Sequence, residues 1–285
     1  MESMKQIKLA DGRMLGYAEY GIFSGFPILF FHGLPGSRLE ADKLHPAALK
    51  TDVRLIGLDR PGIGFSDPKK NRTILDWASD IDQFAEKLNL KTFSIIGHSG
   101  GAPYTVACSC LLPHKIHKIV IVGGIAPLDN EAAVASLSKV QKQLLWLIKY
   151  CPLLVKWMMQ LVSRSFEKPN RIKKMFKQLS AADQKTLTHP EYYEAIMRSF
   201  KEAFRQGAAE VVYDFKLISK PWGVNLQEIP APCSIWQGSH DQQAPLKHAE
   251  IYTRHIPNST YHLLPNEGHI SLLFNYGTQI LASAL

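Results

Sequence analysis

Cysteine is scarce, with Cys108, Cys110, Cys151 and Cys233 the only four in 285 residues. Their spacing suits neither a disulfide framework nor a zinc site, which predicts reduced, mostly buried thiols in a reducing compartment. Long apolar runs are also missing. The segment Met1-Glu2-Ser3-Met4-Lys5-Gln6-Ile7-Lys8 holds no stretch of signal-peptide length, and the last residues match no retention or lipid-anchor motif. The expectation is a cytoplasmic protein that is not exported. Gly62-x-Gly64 lacks the third glycine of a dinucleotide loop, because Asp67 stands where it would fall. No organic cofactor and no metal are therefore expected, and no internal repeat or low-complexity segment appears.

Acidic residues are in deficit: 33 Lys and Arg stand against 25 Asp and Glu, a net charge of +8. Most of the excess lies between Pro127 and Glu228, where 16 basic residues face 10 acidic ones. Lys168, Arg171, Lys173, Lys174 and Lys177 form its densest part. No nucleic-acid motif and no regularly interleaved aromatics accompany them, so they read as a solvated helix face and no nucleic-acid partner is expected. A 46% hydrophobic content supplies ample material for a core.

Along the chain, strand and helix signals alternate. Ile7 to Leu9 and Met14 to Glu19 flank Asp11-Gly12, which predicts a hairpin. Short apolar runs at Pro27 to Phe31, Arg54 to Leu58, Thr92 to Ile96 and Ile116 to Val122 read as buried parallel strands. A helical period over Ile74 to Leu88 and a helix over Ala102 to Leu112 separate them. From about Pro127 to Glu228 the pattern is helical with no clear strand, far too long for a loop. Strands return at Cys233 to Gln237 and Ser259 to Leu264, with a helix over Lys247 to His255 between them. The fold class expected is α/β, a mostly parallel sheet of about eight strands with an inserted all-helical cap. The core then comprises residues 1–126 and 229–285, and the cap residues 127–228.

Within the cap, Leu144 to Ile148 and Leu153 to Met159 are strongly apolar, yet Lys149, Pro152 and Lys156 interrupt them, which excludes a spanning helix. Lys142, Lys149 and Lys156 recur every seven residues, which predicts one face. An amphipathic helix pair packing its apolar side inward, or lining an apolar pocket, is the main reading, and interfacial membrane contact the lesser one.

Gly97-His98-Ser99-Gly100-Gly101 falls between a strand and a helix. A serine there sits on a strained elbow, and glycines two residues either side allow strand and helix to approach. The following helix aims its N-terminal amides at the same space, favouring a developing oxyanion. Asp241 and His269 also follow strand ends, in the polar turns Gly238 to Pro245 and Pro265 to His269. Ligands of open parallel sheets bind at those ends. A serine needs an imidazole to take its proton, and the imidazole needs a carboxylate to fix its tautomer. Asp129, just past another strand, is the alternative acid.

These motifs, together with His32-Gly33-Leu34-Pro35-Gly36 and Asp59-Arg60-Pro61-Gly62-Ile63-Gly64-Phe65-Ser66-Asp67, resemble the α/β-hydrolase superfamily over essentially the full chain. The resemblance implies Ser99 as nucleophile, His269 as general base and Asp241 as its orienting acid. It also implies an oxyanion hole of the Leu34 and Gly100 backbone amides. Serine at the elbow favours acyl transfer over the epoxide and halide chemistry of aspartate members, so ester hydrolysis of a small, partly apolar substrate is expected. Asp11-Gly12-Arg13-x-Leu15-x-Tyr17 and the helical cap also resemble proline iminopeptidases, which usually carry a second glycine where Leu34 stands. Binding proteins, acyltransferases and lyases share the fold and remain alternatives.

Overall fold

The computed structural model describes residues 5–166 and 176–285. Eight strands form one sheet: β1 (Lys5–Lys8), β2 (Met14–Gly21), β3 (Phe26–Phe31), β4 (Val53–Leu58), β5 (Phe93–His98), β6 (Ile116–Val122), β7 (Cys233–Gly238) and β8 (Ser259–Leu264). Their spatial order is β1-β2-β4-β3-β5-β6-β7-β8. β1 pairs antiparallel with β2, as the Asp11-Gly12 turn predicts, and β2 also pairs antiparallel with β4. Every later pairing is parallel. The central β5 is buried throughout, which is why it reads as an uninterrupted run rather than an alternation.

Helices cover both faces. Apolar positions Trp77, Ile81 and Phe84 of α2 (Asp76–Lys87) pack on one side with Tyr104 of α3 (Ala102–Leu111). The other side is covered by Ala48 of α1 (His45–Lys50) and by Leu272, Leu273 and Ile280 of the C-terminal helix over Ser271–Ala282. A 3-10 segment over Arg38–Leu44 precedes α1. Neither that segment nor the C-terminal helix has a counterpart in the sequence reading. All four cysteines are free, and Cys108 and Cys233 are buried.

Between β6 and β7 lie α4 (Glu131–Ser136), α5 (Lys139–Tyr150), α6 (Pro152–Ser165), α7 (Ala181–Thr186), α8 (Pro190–Ala203) and α9 (Ala209–Ile218), with no strand among the described residues. Asn130, Ser138 and Ser180 cap α4, α5 and α7, and Ser138 forms a capping box with Gln141. The chain then re-enters the core, where α10 (Leu246–His255) and α11 (Ser271–Ala282) complete the helices. Cys151-Pro152 ends α5, so the seven-residue lysine spacing crosses a helix break. Lys142 and Lys149 lie on α5 and Lys156 on α6, all exposed. Of the basic cluster, Lys168, Arg171, Lys173 and Lys174 lie outside the described residues, and Lys177 is exposed. No described helix is long and apolar enough to cross a membrane.

Buried ion pairs tie this insert to the sheet. Arg38 donates through Nη1 to Asp59 at 2.7 Å and to Glu202 of α8 at 2.6 Å. Arg60 Nε donates to Asp214 of α9 at 2.6 Å, and Arg72 Nη2 reaches the other Asp214 oxygen at 2.7 Å.

Candidate active site

Ser99 follows β5 with φ +52°, a backbone region that L-residues rarely occupy. The strand and helix on either side pack tightly. A Cβ at Gly97 would lie 2.2 Å from Thr105 Oγ1, and one at Gly101 would lie 2.2 Å from the Phe31 carbonyl oxygen. Only glycine at both places lets α3 approach the sheet this closely. The Ser99 carbonyl accepts from the Ile125 amide at 3.2 Å, which pins the elbow to the loop after β6.

Asp241 and His269 come together from the ends of β7 and β8. His269 Nδ1 donates to Asp241 Oδ2 at 2.7 Å. The second oxygen, Oδ1, accepts from the Gln243 and Ala244 amides at 2.8 and 2.9 Å, so the carboxylate is held at both ends. The His240 amide donates to the Glu267 carbonyl at 2.8 Å, joining the two turns. Burial alone would lower the His269 pKa, but the adjacent Asp241 charge and hydrogen bond outweigh it and raise the pKa above 6.5. Gly123, at φ +51°, leaves no room beside this pair: a Cβ there would lie 3.0 Å from both Asp241 Oδ2 and His269 Nδ1. Asp129 is exposed and lines a separate groove with Trp222 and His255, while Asp241 holds the histidine.

Leu34 and Gly100 are adjacent: a Cβ on Gly100 would lie 3.4 Å from the Leu34 amide nitrogen. Beneath the Leu34 loop, Arg60 donates to the carbonyls of His32 at 2.6 Å and Gly33 at 3.0 Å. His32 is fully buried, and desolvation lowers its pKa to about 3. The ring is therefore neutral, with Nδ1 donating to Gly33 O at 2.8 Å and Nε2 facing the Arg60 amide at 3.4 Å.

Four further side chains support the site, and the sequence reading assigned none of them a role of its own. Glu40 Oε2 accepts from the Gly33 amide at 2.9 Å, and its other oxygen accepts from His98 Nδ1. Burial would raise the Glu40 pKa, but Lys43 and His98 outweigh it and hold it well below the usual carboxylate range. Lys43, its side chain also buried, lies 3.8 Å from Glu40 and has its pKa lowered by burial. The His98 ring lies against His269, with centroids 4.7 Å apart. Asp183 of α7 accepts from the His269, Ile270 and Ser271 amides at 3.1, 2.8 and 2.9 Å. Such a carboxylate satisfies otherwise unpaired amides at the start of α11 and meets its dipole favourably. His98 was visible as a polar residue inside the elbow motif. The other three gave no local signal.

Ser99, His98, His269, Leu34, Glu40 and Lys43 line one cavity of about 390 Å³. Its remaining wall is apolar and comes largely from the insert, including Met159, Val162, Phe166, Ile196, Phe200 and Phe204. Polar groups thus converge at one end of a pocket whose body is hydrophobic, the usual composition of a small-molecule site. Among the described residues, no group of acids, histidines and cysteines is placed to hold a metal.

A non-heme chloroperoxidase from Streptomyces lividans is 31% identical over 126 residues, covering 44% of this chain and 46% of that protein. A proline iminopeptidase from Xylella fastidiosa is 28% identical over 116 residues, covering 40% and 37%. The chain thus spans less than half the length of these curated relatives. Among solved structures, a thermophilic esterase from Thermogutta terrifontis superposes with a TM-score of 0.70 at 19% identity, covering 99% of this chain and 97% of that one. Residues 27–276 match the profile of the family described as alpha/beta hydrolase fold. With the eight-stranded sheet and its elbow, that match makes the chain a member of the alpha/beta hydrolase fold family.

Proposed function

We propose that this chain is a serine hydrolase that cleaves a carboxylic ester, or a related acyl bond, of a small and partly apolar substrate. The observation that carries the reading is the Asp241–His269 pair opening, with Ser99, into a single apolar cavity. Asp241 holds Nδ1, which leaves His269 Nε2 as the ring nitrogen able to take a proton. Ser99 attacks the carbonyl as His269 accepts its proton, and the Leu34 and Gly100 amides receive the oxyanion. His269 then protonates the leaving alcohol. Water repeats the cycle on the acyl-enzyme and releases the acid. In this reading the insert, residues 127–228, serves as a cap whose apolar wall holds the acyl group.

An ester suits the cavity better than the free amino terminus of a peptide. Among the described residues Glu40 is the only carboxylate lining it, and the Gly33 amide, His98 and Lys43 already engage that group. Among the described residues no further carboxylate lines it to pair with a substrate ammonium.

Release of nitrophenol from p-nitrophenyl esters of increasing acyl length tests the assignment. The native chain should turn over, Ser99→Ala should not, and their melting temperatures should agree. The best acyl length would then measure the space in the cavity. Equal turnover by Ser99→Ala would sink the assignment. Labelling of Ser99 by a phosphonate without turnover of any ester would retain the nucleophile and reject the ester.

A further inference from the structure

The pair α5–α6 is apolar on two sides, which its role in the cavity does not require. On the inner side, Ile148 and Val155 are buried against Val212 of α9, while Met159, Val162 and Phe166 line the cavity. On the outer side, Leu153, Trp157 and Leu161 follow one another at a four-residue spacing along α6, and Trp146 and Tyr150 do the same on α5. These are strongly exposed: Leu153 is 80% accessible, Trp157 61% and Trp146 57%. Eight of the thirteen large apolar or aromatic side chains left exposed among the described residues come from this pair. A water-facing helix hairpin ordinarily keeps its outer side polar, and exposed apolar side chains gathered on one face mark an interaction surface.

The charge around the patch selects the partner. From Ala132 to Phe166 there is no Asp or Glu, while Lys139, Lys142, Lys149, Lys156 and Arg164 are all present and exposed. Lys149 lies over the Tyr150 ring, its ammonium 5.0 Å from the centroid. Tryptophan, tyrosine and leucine interspersed with long basic side chains fit a bilayer interface: the rings enter the headgroup boundary and the lysines stay at the anionic surface. A symmetric pairing with a second copy would instead set lysine against lysine across the contact.

We infer that the outer face of α5–α6 docks this protein peripherally on the surface of an anionic lipid bilayer, with Trp146, Tyr150, Leu153 and Trp157 as the inserting side chains. Docking in this orientation leaves α6 between the lipid and the cavity, with its inner side on the cavity wall. The inference does not depend on hydrolysis, since none of these side chains lines the cavity.

Cosedimentation of the full chain with phosphatidylcholine vesicles, with and without phosphatidylglycerol, tests it. Native protein and Ser99→Ala should both pellet with the anionic vesicles, and less so as salt is raised. Trp146→Ser/Trp157→Ser and Lys149→Glu/Lys156→Glu should each lower the partition coefficient about tenfold at unchanged melting temperature. Native protein that stays in the supernatant overturns the inference, and so does pelleting indifferent to phosphatidylglycerol and salt. A concentration-dependent dimer in sedimentation velocity, abolished by Trp146→Ser/Trp157→Ser, would also overturn it, by assigning the face to a second copy.

Discussion

Burial and charge pull the His269 imidazole in opposite directions, and the Asp241 charge prevails. In the proposed mechanism only the neutral ring accepts a proton from Ser99, so a raised pKa means that kcat/KM for an ester should climb with pH through a value above 6.5 and level off beyond it. Asp241→Asn removes the charge, which should move this limb to lower pH. It should also cut the plateau roughly 10³- to 10⁴-fold, because the amide no longer fixes the tautomer. A pH–rate profile of both proteins reads the two effects, and an unmoved limb would show that another group titrates. Gly123→Ala should act on the same pair, since its Cβ meets both Asp241 and His269 in a strained backbone conformation. The placement of Ser99, Asp241 and His269 past strand ends was legible in the sequence because each follows a strand in a turn of recognisable chemistry. Glu40 and Asp183 were not, because they meet His98 and His269 across 58 and 86 residues of chain.

At the level of elements, α7 supports the turn that carries His269. Its Asp183 carboxylate accepts three amides at the start of α11, one of them that of His269 itself. Asp183→Ala leaves all three buried donors unpaired. It should destabilise the protein by roughly 2–5 kcal/mol and lower kcat more than KM, whereas Asp183→Asn should recover part of both. Thermal melts and steady-state kinetics on the pair of variants separate positioning from folding: equal kcat in all three proteins would leave Asp183 a purely structural role. The strands and α2 announced themselves through continuous apolar runs and a 3.6-residue period. The Arg38–Leu44 segment did not, because buried Arg38 and Glu40 interrupt its pattern and α1 after it has only six residues. The lysine spacing of seven reads as one helix, but Pro152 starts a new one between Lys149 and Lys156.

For the whole molecule, the buried ion pairs from Arg38, Arg60 and Arg72 make sheet and insert one thermodynamic unit, so a single cooperative unfolding transition is expected. Removing one partner of such a pair strands a buried charge, and Asp214→Ala should cost about 3–5 kcal/mol in urea unfolding. Burial would raise the Asp214 pKa, but Arg60 and Arg72 outweigh it and the folded value lies below 3.8. A depressed folded pKa means that its stabilisation is complete above 3.8 and is lost as pH falls through the folded value. The acid sensitivity of the native protein below that point should therefore exceed that of Asp214→Ala.

The guanidinium of Arg60 grips two carbonyls under the Leu34 loop with one edge and Asp214 of the insert with the other. An engineer wishing to change what this protein accepts by exchanging its helical insert would therefore be exchanging part of the support for the proposed reaction centre. A graft would have to bring its own carboxylates where Asp183 and Asp214 now stand. The stretch from Lys139 to Ser165 carries neither, but its Gln141 donates to the carbonyl of Gln243, whose amide holds Asp241, so new side chains there belong on positions other than Gln141 and the buried Ile148 and Val155.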